Sequence, residues 1–431
     1  MWCSLKNQKE EGIFMQWVKT YGLDTLIRDY AGLPSNVPLL CHFGHGWYPI
    51  TEAYHLDLLT DKPLMLVMSR RRLQAWKRSS SIPAAIIGSP FVHYRKSRKI
   101  EKDAAASGTI AFPAHSTESR EAVFDIDKYC KQLLSLPIEY HPITICITYV
   151  DLARKKDEIY KKYGFKIVTA GSAWVPGFEF VQKFYEILRN HKYATSNMVG
   201  SYSFYAVEMG IPFFIFGEPA VIVDQGVKES CTDYPAGAFA TKIFQGPTQV
   251  ISEEQKNYVE EELGVHDCLS GIELRELLME SNNRAIETYE EFLSTGQGGV
   301  GDKISTCEKL VSYFQESGEM DKQLKYILKS FEYDAPRAEF CCHLGYFFNN
   351  NKQYELGVFW YKLATQLEKP DNSWLMWAPH VQLCLCYDHL GKHELAYEHN
   401  EIARRYKPDN PSILHNKQYL EGVLGKTTKE S

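Results

Sequence analysis

Between residues 108 and 217, five short apolar runs alternate with four stretches of helical period. This alternation restricts the fold more than any other feature of the chain. The runs are GTIAF (108–112), ITICITYV (143–150), FKIVTA (165–170), KYATS (192–196) and PFFIFG (212–217); the stretches between them, 119–135, 151–163, 178–190 and 201–209, predict helices. Short continuous apolar runs suit strands buried on both faces, and helical crossovers make such strands parallel. The pattern predicts a doubly wound, Rossmann-like sheet. Upstream, VPLLCHF (37–43), PLMLVMS (63–69) and AAIIG (84–88) predict a smaller parallel unit behind a leading helix within residues 1–30. The basic stretch 94–108 reads as a linker, 218–250 as irregular chain and 252–295 as helices. Ser252 and Gln255 stand at capping-box spacing. GQGGVG (296–301) reads as a hinge.

The tail from residue 302 carries a degenerate repeat. Leu344, Gly345, Phe348, Gly357, Tyr361 and Ala364 recur 39 residues later as Leu383, Cys384, Tyr387, Ala396, Asn400 and Ala403. Small residues where two helices cross, with bulky ones on either side, are what a tetratricopeptide-like helix pair needs. The usual period is about 34 residues, so an insertion is expected around Trp374–Trp377. Pro370 and Pro408 close the two units, and a less regular pair is expected near 305–333. The predicted division is 1–105, 106–298 and 302–431: a short N-terminal Rossmann-like half, a second Rossmann-like half with closing helices, and an all-α tetratricopeptide-like region.

With 431 residues, 44% of them hydrophobic, the chain can bury more than one core, and a net charge of −6 gives no global drive toward nucleic acid. Basic clusters remain at Arg70–Arg72 and at Arg95, Lys96, Arg98 and Lys99. The 11 cysteines form no CxxC pair, which fits reduced thiols and a cytoplasmic setting. No signal-peptide pattern and no run of eighteen apolar residues is present. No transmembrane segment is therefore expected, and any membrane association would be peripheral, at the inner face.

Ligands of open parallel sheets bind beyond the carboxyl ends of the strands. After 192–196 comes Asn197-Met198-Val199-Gly200-Ser201, opening a helix whose first amides favour an anion such as a diphosphate. After 108–112 come His115 and Ser116, which could reach the same phosphates. Tyr149 and Asp151, and Gly171 and Ser172, follow the next two strands, where a base and ribose could be held. After 37–43 comes Gly44-His45-Gly46, a turn that exposes His45 as a candidate general base. Each of these also has an ordinary structural reading as a capped turn or a loop histidine. His42 and His45 lack a third ligand, so no metal is expected. There is no GxGxxG, no GxxxxGK[ST] and no GxSxG.

These residues carry a resemblance. Gly200-x4-Tyr205-Ala206-x3-Gly210-Ile211-Pro212 is similar to the donor-site stretch of retaining GT-B-type glycosyltransferases, G-x4-E-A-x3-G-x-P. The Gly44–Gly46 turn resembles the catalytic-histidine turn of transferases that build teichoic and polysialic acids. The resemblance covers roughly residues 35–295 and implies two Rossmann-like units facing a cleft. It implies a metal-independent sugar transfer from a nucleotide sugar, which is substrate rather than cofactor, to a glycan, lipid-linked or protein acceptor in cell-surface polysaccharide or glycoconjugate synthesis. Gly200, Ser201 and Asn197 would hold the diphosphate, His115 and Ser116 would assist, and His45 would be catalytic. Tyr205 stands where the family has its ribose-binding glutamate; the nearby acid is Glu208. The tail resembles tetratricopeptide segments of bacterial glycosyltransferases, which implies a protein partner or self-association. Two alternatives stand beside this. One is an inactive GT-B-like scaffold acting through its helical repeats. The other is a nucleotide-sugar epimerase, for which no acid/base pair is evident.

Overall fold

A computed structural model describes residues 20–44, 46–117, 119–224, 226–368 and 374–425. The chain forms two compact units. One comprises residues 20–35 and Leu39–Asn282; the other comprises Asn36–Pro38 and the chain from Asn283 onward. Both parallel sheets fall in the first unit. The division lies within the helix Gly271–Thr295 and not at the glycine-rich segment after it. Leu293, near that helix's end, packs with Ile304, Leu310 and Phe314.

Eleven strands are described: β1 (Cys41–Phe43), β2 (Leu64–Val67), β3 (Ala84–Ile86), β4 (Thr109–Ala111), β5 (Arg120–Val123), β6 (Ile143–Cys146), β7 (Lys166–Val168), β8 (Tyr193–Ser196), β9 (Phe213–Ile215), β10 (Val221–Asp224) and β11 (Val227–Glu229). β1, β2 and β3 form a parallel sheet in that order, with Cys41 opposite Leu64 and Leu66 opposite Ala85. The second parallel sheet has the order β7-β6-β4-β8-β9. Its five strands lie in the five apolar runs between 108 and 217. β4 is central; Ile110 and Ala111 are fully buried, because helical crossovers leave neither face to solvent. Tyr129, Leu133, Ile145 and Tyr160 fill the core beside it.

Four segments depart from the sequence expectation. Residues 119–135 do not form one helix. β5 comes first, with Ala122 its buried residue, and pairs antiparallel with β10; the helix is Ile126–Leu134, started by Asp125, whose carboxylate accepts the Lys128 amide at 2.8 Å. Residues 218–250 are not irregular throughout: β10 and β11 form a hairpin, and Pro235–Ile243 is a helix. The stretch at 94–108 is not merely a linker. The helix Pro90–Ser97 runs into it, and Arg95 is buried. Residues 151–163 split into Tyr149–Ala153 and Asp157–Lys162, broken at Lys155 with φ of 59°.

The second unit is a stack of helices: Val300–Ser317, Met320–Ser330, Ala338–Asn350, Tyr354–Gln366, Ala378–His389, His393–Tyr406 and Pro411–Val423. It is tetratricopeptide-like in that consecutive helices pair and each pair packs on the next. Eleven of the twelve repeat positions are buried, Phe348 being half-buried. A Cβ on Gly345 would lie 2.6 Å from the Tyr361 ring, so the crossing requires glycine there. Trp374–Met376 is a 3-10 turn placing Leu375 in the core, at the position of the inferred insertion. Pro370 lies outside the described residues. No helix among them is long and apolar enough to cross a membrane.

Candidate functional site

Counted along the chain, the five-stranded sheet runs third, second, first, fourth, fifth. The chain leaves β4 and β8 in opposite directions, and in open parallel sheets ligands bind beyond the carboxyl ends at such a switch point. His115, Ser116, Asn197, Gly200 and Ser201 gather there. Asn197 is buried and fixes the turn: its Oδ1 accepts the Ala114 amide at 2.8 Å and its Nδ2 donates to the Glu218 carbonyl at 2.8 Å. The Tyr202 hydroxyl donates to the Met198 carbonyl at 2.9 Å, so the Ser196 hydroxyl, 2.9 Å away, is the donor to Tyr202. A Cβ on Gly200 would lie 2.6 Å from the Tyr202 ring. The close neighbour that glycine admits is therefore this ring. The Gly200 amide donates to Ser203 Oγ at 3.3 Å and the Ser203 amide to the Gly200 carbonyl at 2.9 Å. The Ser201 and Tyr202 amides, first in the helix Ser201–Glu208, have no acceptor within it.

The loop after β4 is stitched to the start of the helix after β6. Asp151 Oδ2 accepts the Ser116 amide at 2.9 Å, and Asp151 Oδ1 lies 2.9 Å from Lys156 Nζ. Lys156 also donates to Ser116 Oγ at 3.0 Å. Burial pushes the Asp151 carboxyl up, but the Lys156 and Ser116 bonds outweigh it and hold the group below its ordinary value. Burial lowers His115 against the opposing pull of Asp151, so its imidazole is neutral at pH 7. His115, Thr148, Asp151, Lys156 and Tyr160 line a cavity of about 10 Å³, enough for about one water molecule.

Glu208 is not in this group. It sits at the other end of its helix, roughly 10 Å along the axis. Arg95 grips it bidentately at 2.7 and 2.8 Å, both side chains buried. Tyr205 stacks on Phe91 at 5.1 Å, and Ser89 donates to its hydroxyl at 3.3 Å. Neither residue reaches the strand ends, because both face the helix Pro90–Ser97.

His45 lies outside the described residues. Its neighbours are informative. A Cβ on Gly46 would lie 2.9 Å from Ser201 Oγ, and the Trp47 amide donates to that oxygen at 3.1 Å. The carboxyl-end turn of β1 thus meets the carboxyl-end turn of β8, 154 residues away. Beneath it, His42 Nε2 is 3.0 Å from Asp57 Oδ1, both buried. Gly44, Gly46, Asp57, Met65, Arg72 and Trp76 line a second cavity of about 10 Å³. Asp57, Arg72, Arg120 and Lys156 escaped sequence reading because no helical or strand period pairs them with their partners, which for Arg120 and Asp224 lie 104 residues apart. Asp57 and Arg72 are marked by the burial of a charge, Arg120 and Lys156 by half-buried ion pairs, none of which is visible in composition.

No family model and no curated protein matches this chain. Among solved structures, one MamA crystal structure is 19% identical with a TM-score of 0.30, over 35% of this chain and 83% of that one. A second is 20% identical with a TM-score of 0.28, over 32% and 72%. The C-terminal TPR-containing domain of a Plasmodium falciparum FK506-binding protein is 16% identical with a TM-score of 0.19, over 33% and 87%. Superpositions this loose carry no function across. The tetratricopeptide-like character of the second unit rests on its own helix pairs.

Proposed function

We propose that this chain is a GT-B-like glycosyltransferase whose helical repeats hold it to a protein partner. The meeting of the β1 and β8 turns at Gly46, Trp47 and Ser201 carries the reading. It sets two carboxyl-end turns against each other, which is where a donor and an acceptor would be brought together. The strand order supports a Rossmann-like second half. The Ser201 and Tyr202 amides would face the donor diphosphate and stabilise its charge as the anomeric carbon–oxygen bond breaks. His115, neutral and beside them, would donate a hydrogen bond. The donor is a substrate, and no step requires a resident cofactor or metal. His45 would face the acceptor hydroxyl from the first half.

A second reading keeps the partner and drops the chemistry. It is favoured by Asn197 and Ser116, whose side chains are spent on internal hydrogen bonds, and by cavities that hold one water each where a ligand site has about 300–1,000 Å³. The helix Tyr354–Gln366 leaves Leu356 and Phe359 exposed, apolar surface that a partner would cover. In this reading the helical unit is an interaction scaffold, binding another protein or a second copy.

A thermal-shift panel of UDP, CDP and their sugar conjugates separates the two. The transferase should gain about 2.7 kcal/mol of apparent stability at a hundred times Kd. A flat response across the panel would remove the transferase and leave the scaffold.

A further inference from the structure

We infer that Trp174 is the platform on which the planar base of the nucleotide donor stacks; this deepens the transferase reading above and rests on it. Trp174 stands in the turn that follows β7, and it is 45% exposed. An indole with that much open surface offers a flat apolar face to a planar ligand. Its ring is held in place. The indole Nε1 donates to the Tyr149 hydroxyl at 2.9 Å, and the Trp174 amide donates to Ser172 Oγ at 3.2 Å. The turn is braced on either side of the ring. The Tyr21 amide donates to the Ala173 carbonyl at 2.6 Å, and a Cβ on Gly22 would collide with the Gly177 carbonyl. An aromatic side chain fixed in advance loses little freedom when it meets a ligand.

Tyr149 ties this ring to the candidate donor site. It opens the short helix after β6, with Thr148 before it and Asp151 two residues on. Thr148 and Asp151 line the same cavity as His115, and Asp151 holds the Ser116 amide. The strand order β7-β6-β4-β8 puts the Tyr149–Trp174 pair beyond the ends of β6 and β7, and His115 and Ser201 beyond those of β4 and β8. Two strand spacings separate the pairs, roughly 10 Å. A ribose joins a base to its phosphates over a comparable reach, so a base on Trp174 leaves the diphosphate at the Ser201 and Tyr202 amides. The β1 turn, where the acceptor would come, meets this sheet at β8, the other end of that span. Trp174 therefore belongs to the nucleotide side. Stacking uses the π-face that every base has, so the platform sets affinity for a nucleotide and not the identity of its base.

Full-length Trp174→Ala, Trp174→Phe and the parent are titrated with UDP and with inorganic pyrophosphate, by calorimetry and by tryptophan fluorescence. Trp174→Ala should bind UDP about 5- to 150-fold more weakly, the range that base–aromatic stacking spans. Pyrophosphate has no base and should bind all three proteins alike. Trp174→Phe keeps a ring and should retain most of the UDP affinity. UDP should quench part of the parent's tryptophan emission, and that part should be missing from Trp174→Phe. Unchanged UDP affinity in Trp174→Ala, or an equal loss for UDP and pyrophosphate, overturns the platform and leaves the donor site standing. Absence of UDP and pyrophosphate binding in the parent overturns the platform and the transferase together.

Discussion

Asp151 shows what a single buried charge does at the strand ends. Its carboxyl is held below its ordinary value, so the folded state binds its proton less readily than the unfolded chain, where the value is about 3.9. The stability it contributes is whole above that value and is lost as pH falls through it. His115 acts in a higher window. Its lowered value keeps it neutral while the unfolded chain takes up a proton below about 6.5, so stability also declines below that pH. Urea unfolding across pH 3–8 should show both declines. Asp151→Asn should lessen the acid decline and, by removing the charge that raises His115, deepen the higher one; an unchanged acid limb would place the proton uptake elsewhere. Asp151 was legible as a residue following a strand. Its partner Lys156 was not, since nothing local distinguishes that lysine from its exposed neighbours Lys155 and Arg154.

At the level of elements, the helix pairs are set by which residue meets which across the crossing. Gly345 and Gly422 make the point with opposite signs. Alanine at Gly345 must push a Cβ into the buried Tyr361 ring, whereas Gly422, on the exposed side of Pro411–Val423, has nothing within 4 Å. Gly345→Ala should destabilise by about 1–3 kcal/mol through overpacking. Gly422→Ala should stabilise by up to about 1 kcal/mol through helix propensity. Chemical denaturation of the two variants checks both; a stabilised Gly345→Ala would mean that the crossing has slack. Element ends were legible where a local device sets them. Ser252 Oγ accepts the Gln255 amide at 3.1 Å and Gln255 Oε1 accepts the Ser252 amide at 3.0 Å, the reciprocal cap that the spacing announced. β5 was missed because a strand as short as Arg120–Val123 has no period of its own; its hydrogen bonds come from β10, about a hundred residues on.

For the whole molecule, ten cysteines are described and none is joined to another of them in a disulfide. Burial pushes the thiols of Cys41, Cys130, Cys146 and Cys384 up to about 12, and those of Cys231, Cys307, Cys341 and Cys386 to about 11. Thiolates, not thiols, attack, so these eight should react slowly with a thiol reagent at pH 7.5 until denaturant is added. Mass mapping that finds fast native labelling of Cys41 or Cys384 would mean that these cores open. By itself the sequence determined the eight parallel strands, a helix in each crossover of the five-stranded sheet and the spacing of the repeat, because period and small-residue placement are written within about forty neighbouring residues. It also singled out the turns after β4 and β8. Only the tertiary structure decided that Glu208 belongs to Arg95, that His42 belongs to Asp57, and that Ser201 is met by Trp47. Those pairings depend on which surfaces the sheets and helices bring together: Arg95 and Glu208, and Trp47 and Ser201, are more than a hundred residues apart, and even His42 and Asp57, 15 apart, share no local period.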